Sequence, residues 1–117
     1  MTDAPKIFHN PRCSKSRQTL ELLQQQGVEP EIIRYLETPP TAPQLLQILD
    51  MLGCEPRDMM RTKEAEYREQ RLDNPELTRD QLVQAMIDTP KLIERPIVLA
   101  NGKAVIGRPP ENVLTIL

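Results

Sequence analysis

An alternation of strand-like and helix-like segments at the start of the chain restricts the fold more than any other feature. The apolar run Lys6–Phe8 ends at His9-Asn10-Pro11, where the proline cannot donate to a strand ladder and disfavours a helical residue before it. Good helix formers then run from Ser14 to Gln26, and Gly27 suits the C-terminal cap. The run EIIRY, Glu31–Tyr35, indicates a second strand. We therefore expect a parallel strand pair joined by a right-handed helical crossover.

The middle of the chain is expected to be helical. A second amphipathic helix should stop near Gly53, Cys54–Glu69 should be helical in pieces with a break near Arg61, and Leu72–Leu77 should be loop. Thr78-Arg79-Asp80-Gln81 fits the capping-box pattern that begins another helix. The apolar residues that mark the second helix are Leu45, Leu46, Ile48, Leu49 and Leu52.

The end of the chain predicts a hairpin. Ile97–Leu99 and Lys103–Ile106 flank the dipeptide Asn101-Gly102, which is typical of a tight turn between antiparallel strands, and Pro109–Leu117 can form a short closing helix. The hairpin must add antiparallel strands to the sheet that the first unit begins. The predicted fold is α/β, a small mixed four-stranded sheet flanked by helices, with a helical insert between its two halves. We expect residues 1–117 to form a single domain.

Charge and composition exclude several classes of protein. The 117 residues include 15 basic and 17 acidic side chains, a formal net charge of −2, whereas a sequence-independent nucleic-acid binder carries a large basic excess. No apolar run reaches bilayer length, and the N-terminal MTDAPK lacks a signal-peptide core. We expect a cytoplasmic protein with neither nucleic acid nor a membrane as its partner.

Cys13 lies where the first helix is expected to begin. The unpaired N–H groups of a first helical turn and the helix dipole both favour negative charge at that position. A thiol so placed near cationic side chains can have a pKa between about 3.5 and 7.5. Ser16 is positioned to donate a hydroxyl hydrogen bond to the sulfur, and Arg17 adds positive charge one turn along. The pattern predicts a nucleophilic thiolate, and the alternative is a structural cysteine that only precedes a helix.

A second thiol is not found in the usual place beside this cysteine. Ser16 occupies the position that would complete a C-x-x-C pair. Cys54 follows Gly53 at a predicted helix end, where a packed structural role is expected and a resolving role is the alternative. If Cys13 cycles through oxidation, a small thiol such as glutathione or a partner protein is the natural source of the resolving thiol. Two cysteines and one histidine are also too few ligands to suggest a zinc site.

Four segments together carry a resemblance to a known family. HNPRCSKSRQTLELL and IERPIVLANGKAVIGRPPENVL resemble the glutaredoxin-coupled arsenate reductases, a branch of the thioredoxin-like fold. EIIRYLETPP and the stretch around MMRTKEAEY are similar to the corresponding parts of that family, in the same order. The resemblance covers essentially the whole chain and implies a thioredoxin-like fold.

The resemblance implies a role for each matched residue. Cys13 matches the nucleophile of the family, with His9 and Ser16 beside it, and Pro96 matches a proline that follows a cis peptide bond. Guanidinium groups suit a doubly charged tetrahedral oxyanion because they are always protonated and donate in a fixed fork. The residues that match the oxyanion-binding arginines are Arg61, Arg95 and Arg108.

The implied activity is reduction of arsenate to arsenite through a Cys13 adduct, with no bound cofactor. Glutathione would act as the reductant, and glutaredoxin would resolve the remaining mixed disulfide. Ser14 and Lys15 stand where the arsenic-resistance members have Gly and Thr, which leaves open another oxyanion or a glutathione mixed disulfide as the substrate. A redox regulator that binds RNA polymerase is a further alternative, although such relatives usually carry C-x-x-C, and Ser16 interrupts that pattern.

Overall fold

A four-stranded mixed sheet lies at the centre of the protein. The computed structural model describes residues 5–117, so most of the MTDAPK segment lies outside the described residues. Strand β1 pairs in parallel with β2 and antiparallel with β3, and β3 pairs antiparallel with β4, giving the order β2-β1-β3-β4. The strands are β1 (Lys6–Phe8), β2 (Glu31–Ile33), β3 (Ile97–Ala100) and β4 (Lys103–Ile106). The mixed four-stranded sheet predicted from the sequence is confirmed.

The chain forms two compact units, of which the first contains the sheet. This unit runs up to Thr38 and resumes at Arg95–Leu117, while the second is formed by Pro39–Glu94. Helix α1 (Ser14–Gln25) packs in the first unit with a closing 3₁₀ helix, Pro110–Ile116. Their shared core with the sheet consists of Ile7, Leu23, Val98, Ala100, Val113 and Ile116. The hairpin turn places both Asn101 and Gly102 at positive φ, as an Asn-Gly turn requires.

The prediction for β2 was wrong at its C-terminal end, where Arg34 and Tyr35 were assigned to the strand. The Arg34 carbonyl accepts hydrogen bonds from the backbone N–H groups of Glu37 and Thr38, so the chain turns directly after Ile33. Tyr35 is fully buried within this turn. Its apolar, β-favouring side chain therefore reflects burial in a turn and not membership of the strand.

The second unit supplies the predicted helical insert. Capping boxes at Thr41 and Thr78 begin two of its helices, and the latter is the one predicted from the sequence. Arg61 follows the first 3₁₀ helix, at the predicted break, and residues 72–77 are loop. The helices are α2 (Ala42–Leu52), a 3₁₀ helix (Pro56–Met59), α3 (Ala65–Glu69), α4 (Arg79–Asp88) and a 3₁₀ helix (Pro90–Leu92). Within residues 5–117, no helix is both long enough and apolar enough to span a bilayer.

Candidate active site

Asn10 organises the loop that leads into the first helix. Its side-chain oxygen accepts the N–H of Arg12 at 3.0 Å, and its carbonyl accepts the N–H of Cys13, also at 3.0 Å. Its own N–H donates to the Ser16 hydroxyl at 3.0 Å. Asn10 is only 8% exposed, so these bonds replace water contacts that the backbone would otherwise need. The loop is thereby held in one conformation that delivers Cys13 to the start of α1.

Cys13 is the N-cap residue of α1 and is partly exposed. Its backbone is extended, with φ −95° and ψ 124°, while the following residues are helical. Partial burial on its own raises the pKa of the Cys13 thiol, but the Ser16 N–H, the Arg95 guanidinium and the Lys15 N–H together lower that pKa below its usual range. The groups that lower this pKa are therefore two helical N–H groups and one arginine.

Ser16 and His9 form a buried pair behind the cysteine. The Ser16 hydroxyl lies 2.6 Å from His9 Nδ1, and Ser16 is fully buried. The hydroxyl is therefore occupied by His9 and by the N–H of Asn10, and Ser16 reaches the sulfur through its backbone N–H instead of the hydroxyl we had expected. Burial, followed by the charges of Arg34 and Arg17, lowers the pKa of His9, so the imidazole is neutral at pH 7.

Arg17 acts on the loop and on the histidine. Its Nη1 donates to the carbonyl of Pro11 at 3.1 Å, which ties the first turn of α1 back to the preceding loop. Its charge contributes to lowering the pKa of His9, but it is not among the groups that shift the pKa of Cys13. Its expected support of the thiolate is therefore indirect, through the position of the loop.

Arg95 and Arg108 approach the sulfur from the β3–β4 side of the sheet. The Arg108 Nη2 lies 3.6 Å from the Cys13 sulfur, and its Nε donates to the Arg95 carbonyl at 2.7 Å. The carbonyl of Arg108 accepts from the Asn112 side chain at 3.0 Å, so the turn that carries Arg108 is itself fixed. Two guanidinium groups and the α1 N-terminus thus converge on one thiol, which concentrates positive potential there.

Gly107 lets the strand end approach α1 closely. A Cβ at position 107 would lie 2.6 Å from Thr19 Oγ1 and 2.9 Å from Pro96 Cγ. The Gly107 N–H donates to the Pro96 carbonyl at 2.9 Å, and its carbonyl lies 3.4 Å from Thr19 Oγ1. The Arg95–Pro96 and Arg108–Pro109 peptide bonds are both cis. These contacts set where Arg95 and Arg108 leave the sheet.

We expect Gly107→Ala to destabilise the protein by about 1–3 kcal/mol, because the added methyl group overpacks the contact with Thr19 and Pro96. Urea denaturation followed by circular dichroism measures this difference. In the double variant Gly107→Ala/Thr19→Ala, removal of the Thr19 Oγ1 and Cγ2 atoms should recover part of the loss relative to Thr19→Ala alone. A Gly107→Ala protein as stable as the wild type would contradict the close approach.

Arg61 belongs to the second unit, and its part in the site stays a prediction. Its backbone N–H donates to the Leu92 carbonyl at 2.7 Å, and its Nε lies 3.2 Å from Glu64 Oε1. Its Nη1 is buried and has no hydrogen-bond partner within residues 5–117. A buried guanidinium nitrogen without a partner is costly, and an anion would satisfy it.

Two residues of this site were missed from the sequence. Asn10 had a usable signal, because Asn-Pro favours turn initiation and asparagine can accept from the N–H two residues on. Gly107 had none, since its partner Thr19 lies 88 residues away.

The other thiol, Cys54, differs from Cys13 because its pKa is raised, first by burial and then by the carboxylates of Asp58 and Glu55. Within residues 5–117 no group of His, Cys, Asp and Glu side chains is arranged to hold a metal ion.

Comparison with known proteins places this site in a family. Residues 8–116 match the ArsC family. Uncharacterized protein YfgD of Escherichia coli K12 is 58% identical over 118 aligned positions, covering 100% of this chain and 99% of that protein. An arsenate reductase of Neisseria meningitidis is 54% identical over 113 residues, covering 96% of this chain and 97% of its own length.

A solved structure gives the same result for the fold. The arsenate reductase from Vibrio cholerae superposes with a TM-score of 0.95 at 53% identity, covering 97% of this chain and 98% of the other. The predicted thioredoxin-like arrangement of a mixed sheet with flanking helices is confirmed by this match. From the family match over residues 8–116 and relatives that align along nearly their whole length, we conclude that the chain belongs to the ArsC family.

Proposed function

We propose that this protein is an arsenate reductase that uses Cys13 as its nucleophile. The observation that carries the proposal is the convergence of two α1 N–H groups, Arg95 and Arg108 on one partly exposed sulfur. The names of its relatives from Neisseria meningitidis and Vibrio cholerae support arsenate as the oxyanion. The same arrangement would serve any tetrahedral oxyanion with two negative charges, so the choice of arsenate depends on these relatives.

In the first step the Cys13 thiolate attacks arsenic. The arginines draw the oxyanion to the sulfur and neutralise the charge that would repel an approaching thiolate. A sulfur–arsenic bond forms, and one hydroxyl group of arsenate takes up a proton and leaves as water. Arsenic keeps its oxidation state of +5 in this step, so no electron donor is needed yet.

In the second step glutathione supplies the electrons. Its thiolate attacks the Cys13 sulfur of the adduct, a sulfur–sulfur bond forms, and the electron pair of the broken sulfur–arsenic bond reduces arsenic to +3. Arsenite leaves, and a Cys13–glutathione mixed disulfide remains. The buried Ser16 lies where a C-x-x-C pair would have its second thiol, so this motif supplies no resolving thiol, and we assign the resolution of the mixed disulfide to glutaredoxin.

Arg61 is proposed as a third oxyanion donor. Its buried Nη1 has no partner within residues 5–117, while Glu64 fixes its Nε. Because the side chain is already held in one conformation, it loses little further conformational entropy when it donates to a bound anion. We also propose that residues 1–117 act as one domain in the cytoplasm, where glutathione keeps Cys13 and Cys54 reduced.

The direct test is arsenate-dependent NADPH oxidation in a coupled assay with glutathione, glutaredoxin and glutathione reductase. We expect turnover that requires all three components, together with saturation by arsenate. Omitting glutaredoxin while keeping glutathione separates the second step from the resolution of the mixed disulfide. Absence of turnover, with Cys13 still reacting with iodoacetamide, would contradict arsenate as the substrate and favour another oxyanion or a regulatory role.

A further inference from the structure

A cleft opens beside the active-site loop, and neither Arg95 nor Arg108 is among the residues that line it. It has a volume of about 230 Å³ and is lined by residues 9–12 together with Arg34, Leu36 and Glu37. Residues 9–12 form the loop that ends at Cys13, whose N–H is bonded to the Asn10 carbonyl. A ligand in this cleft therefore lies against the segment that carries the nucleophile.

The cleft is bordered by three charged side chains. Arg12, Arg34 and Glu37 are exposed, and their side chains have neither a hydrogen bond nor an ion pair within residues 5–117. Arg34 and His9 both line the cleft, and the charge of Arg34 contributes to lowering the pKa of His9. By contrast, Arg17 and Arg108 in the same unit both donate to backbone carbonyls. Three unpaired charges thus border one cavity.

The signs of these charges indicate the chemistry of the ligand. With His9 neutral, two arginines and one glutamate give the cleft a net charge of +1. A simple oxyanion would be attracted by the arginines and repelled by Glu37, whereas a ligand with two carboxylates and one ammonium group can pair with all three side chains. Leu36, 43% exposed, offers an apolar surface for the methylene groups of such a ligand.

We propose that this cleft is the binding site for glutathione, with Arg12 and Arg34 binding its two carboxylates and Glu37 binding its ammonium group. The inference rests on the proposed function only in taking glutathione as the reductant. The volume of the cleft is about 230 Å³, which is below the roughly 300–1,000 Å³ of typical enclosed ligand sites. In this proposal the cleft therefore binds the charged groups of glutathione and leaves its central cysteine residue outside. The thiol of that cysteine then lies beside the loop, residues 9–12, that leads into Cys13.

Binding of S-methylglutathione to the wild-type protein tests the site without redox chemistry, because the methylated thiol cannot exchange with Cys13. Isothermal titration calorimetry should give a Kd that rises about three- to tenfold in Arg12→Ala and in Arg34→Ala, as expected for an exposed charged contact. The matched control is Arg68→Ala, since Arg68 is also exposed and unpaired within residues 5–117 but lies in the second unit. The control should bind like the wild type.

The ammonium contact has its own test. N-acetyl-S-methylglutathione lacks the charged amine, so it should bind to the wild type more weakly than S-methylglutathione does. The Glu37→Gln variant should bind the two compounds with the same Kd. Equal binding of both compounds to the wild type would overturn the assignment of Glu37. Failure of S-methylglutathione to bind at millimolar concentration, or equal binding to the wild type and Arg34→Ala, would overturn the site.

Kinetics separate this proposal from the proposed function. In the coupled assay, Arg12→Ala and Arg34→Ala should raise the KM for glutathione and leave the KM for arsenate unchanged. If the variants turn over arsenate with an unchanged KM for glutathione, the proposed function is supported and the cleft is not the glutathione site. If S-methylglutathione binds in a manner that depends on these arginines but arsenate is not turned over, the glutathione site is supported and arsenate is not the substrate.

Discussion

Replacing Cys13 by serine is expected to reduce arsenate turnover by on the order of 10⁴-fold or more, because the arsenic adduct is proposed to form on the Cys13 sulfur. A serine hydroxyl remains protonated at pH 7 even with the Ser16 and Lys15 N–H groups directed at it. Its oxygen also cannot form the disulfide through which the electrons pass. The coupled assay with glutathione and glutaredoxin measures the loss directly.

Cys54→Ser provides the matched control for this experiment. The pKa of Cys54 is raised by burial and then by Asp58 and Glu55, so little thiolate is present at pH 7. We expect this variant to turn over arsenate at the wild-type rate. Loss of activity in Cys54→Ser would show that this thiol takes part in the cycle, and turnover in Cys13→Ser close to the wild-type rate would contradict Cys13 as the nucleophile.

Arg95→Ala is expected to lower kcat/KM for arsenate by roughly 10²–10³-fold, the effect of removing one donor from a charge-stabilising site. Two consequences combine in this variant. The oxyanion loses a donor, and the Cys13 thiolate loses both a hydrogen bond and a neighbouring positive charge. The pKa of Cys13 should therefore rise towards the free-thiol value of about 8.5, and the thiolate fraction at pH 7 should fall.

The rate of iodoacetamide labelling of Cys13 as a function of pH reports the second consequence by itself. Its midpoint should move to higher pH in Arg95→Ala relative to the wild type. Arg95→Lys is the matched control, because it keeps the charge but not the planar fork: its labelling midpoint should stay near the wild type while arsenate kinetics remain impaired. An unchanged midpoint in Arg95→Ala would contradict the contact between Arg95 and the thiolate.

Part of the environment of Cys13 could be predicted because it is local in sequence, whereas Arg95 and Arg108 come from the other end of the chain. A helix start is signalled by the residues around it, and the N–H groups that hold the thiolate belong to Lys15 and Ser16, two and three positions away. The role of the Ser16 hydroxyl could not be predicted in the same way. His9, Asn10 and Cys13 all lie within its reach along the chain, and only the folded loop shows that His9 and Asn10 occupy it.

The sequence by itself determined the order of strands and helices, the hairpin turn at Asn101 and the position of Cys13 at a helix start, since each depends on the periodicity or conformational preference of neighbouring residues. Its resemblance to one family supplied the arginines. The tertiary structure alone decided that Arg108 lies 3.6 Å from a sulfur 95 residues earlier and that Gly107 must lack a side chain beside Thr19. It also brought Arg34 and Glu37 to the loop before Cys13. Contacts between residues far apart in the chain leave no local pattern, because they arise only when packing brings separate elements together.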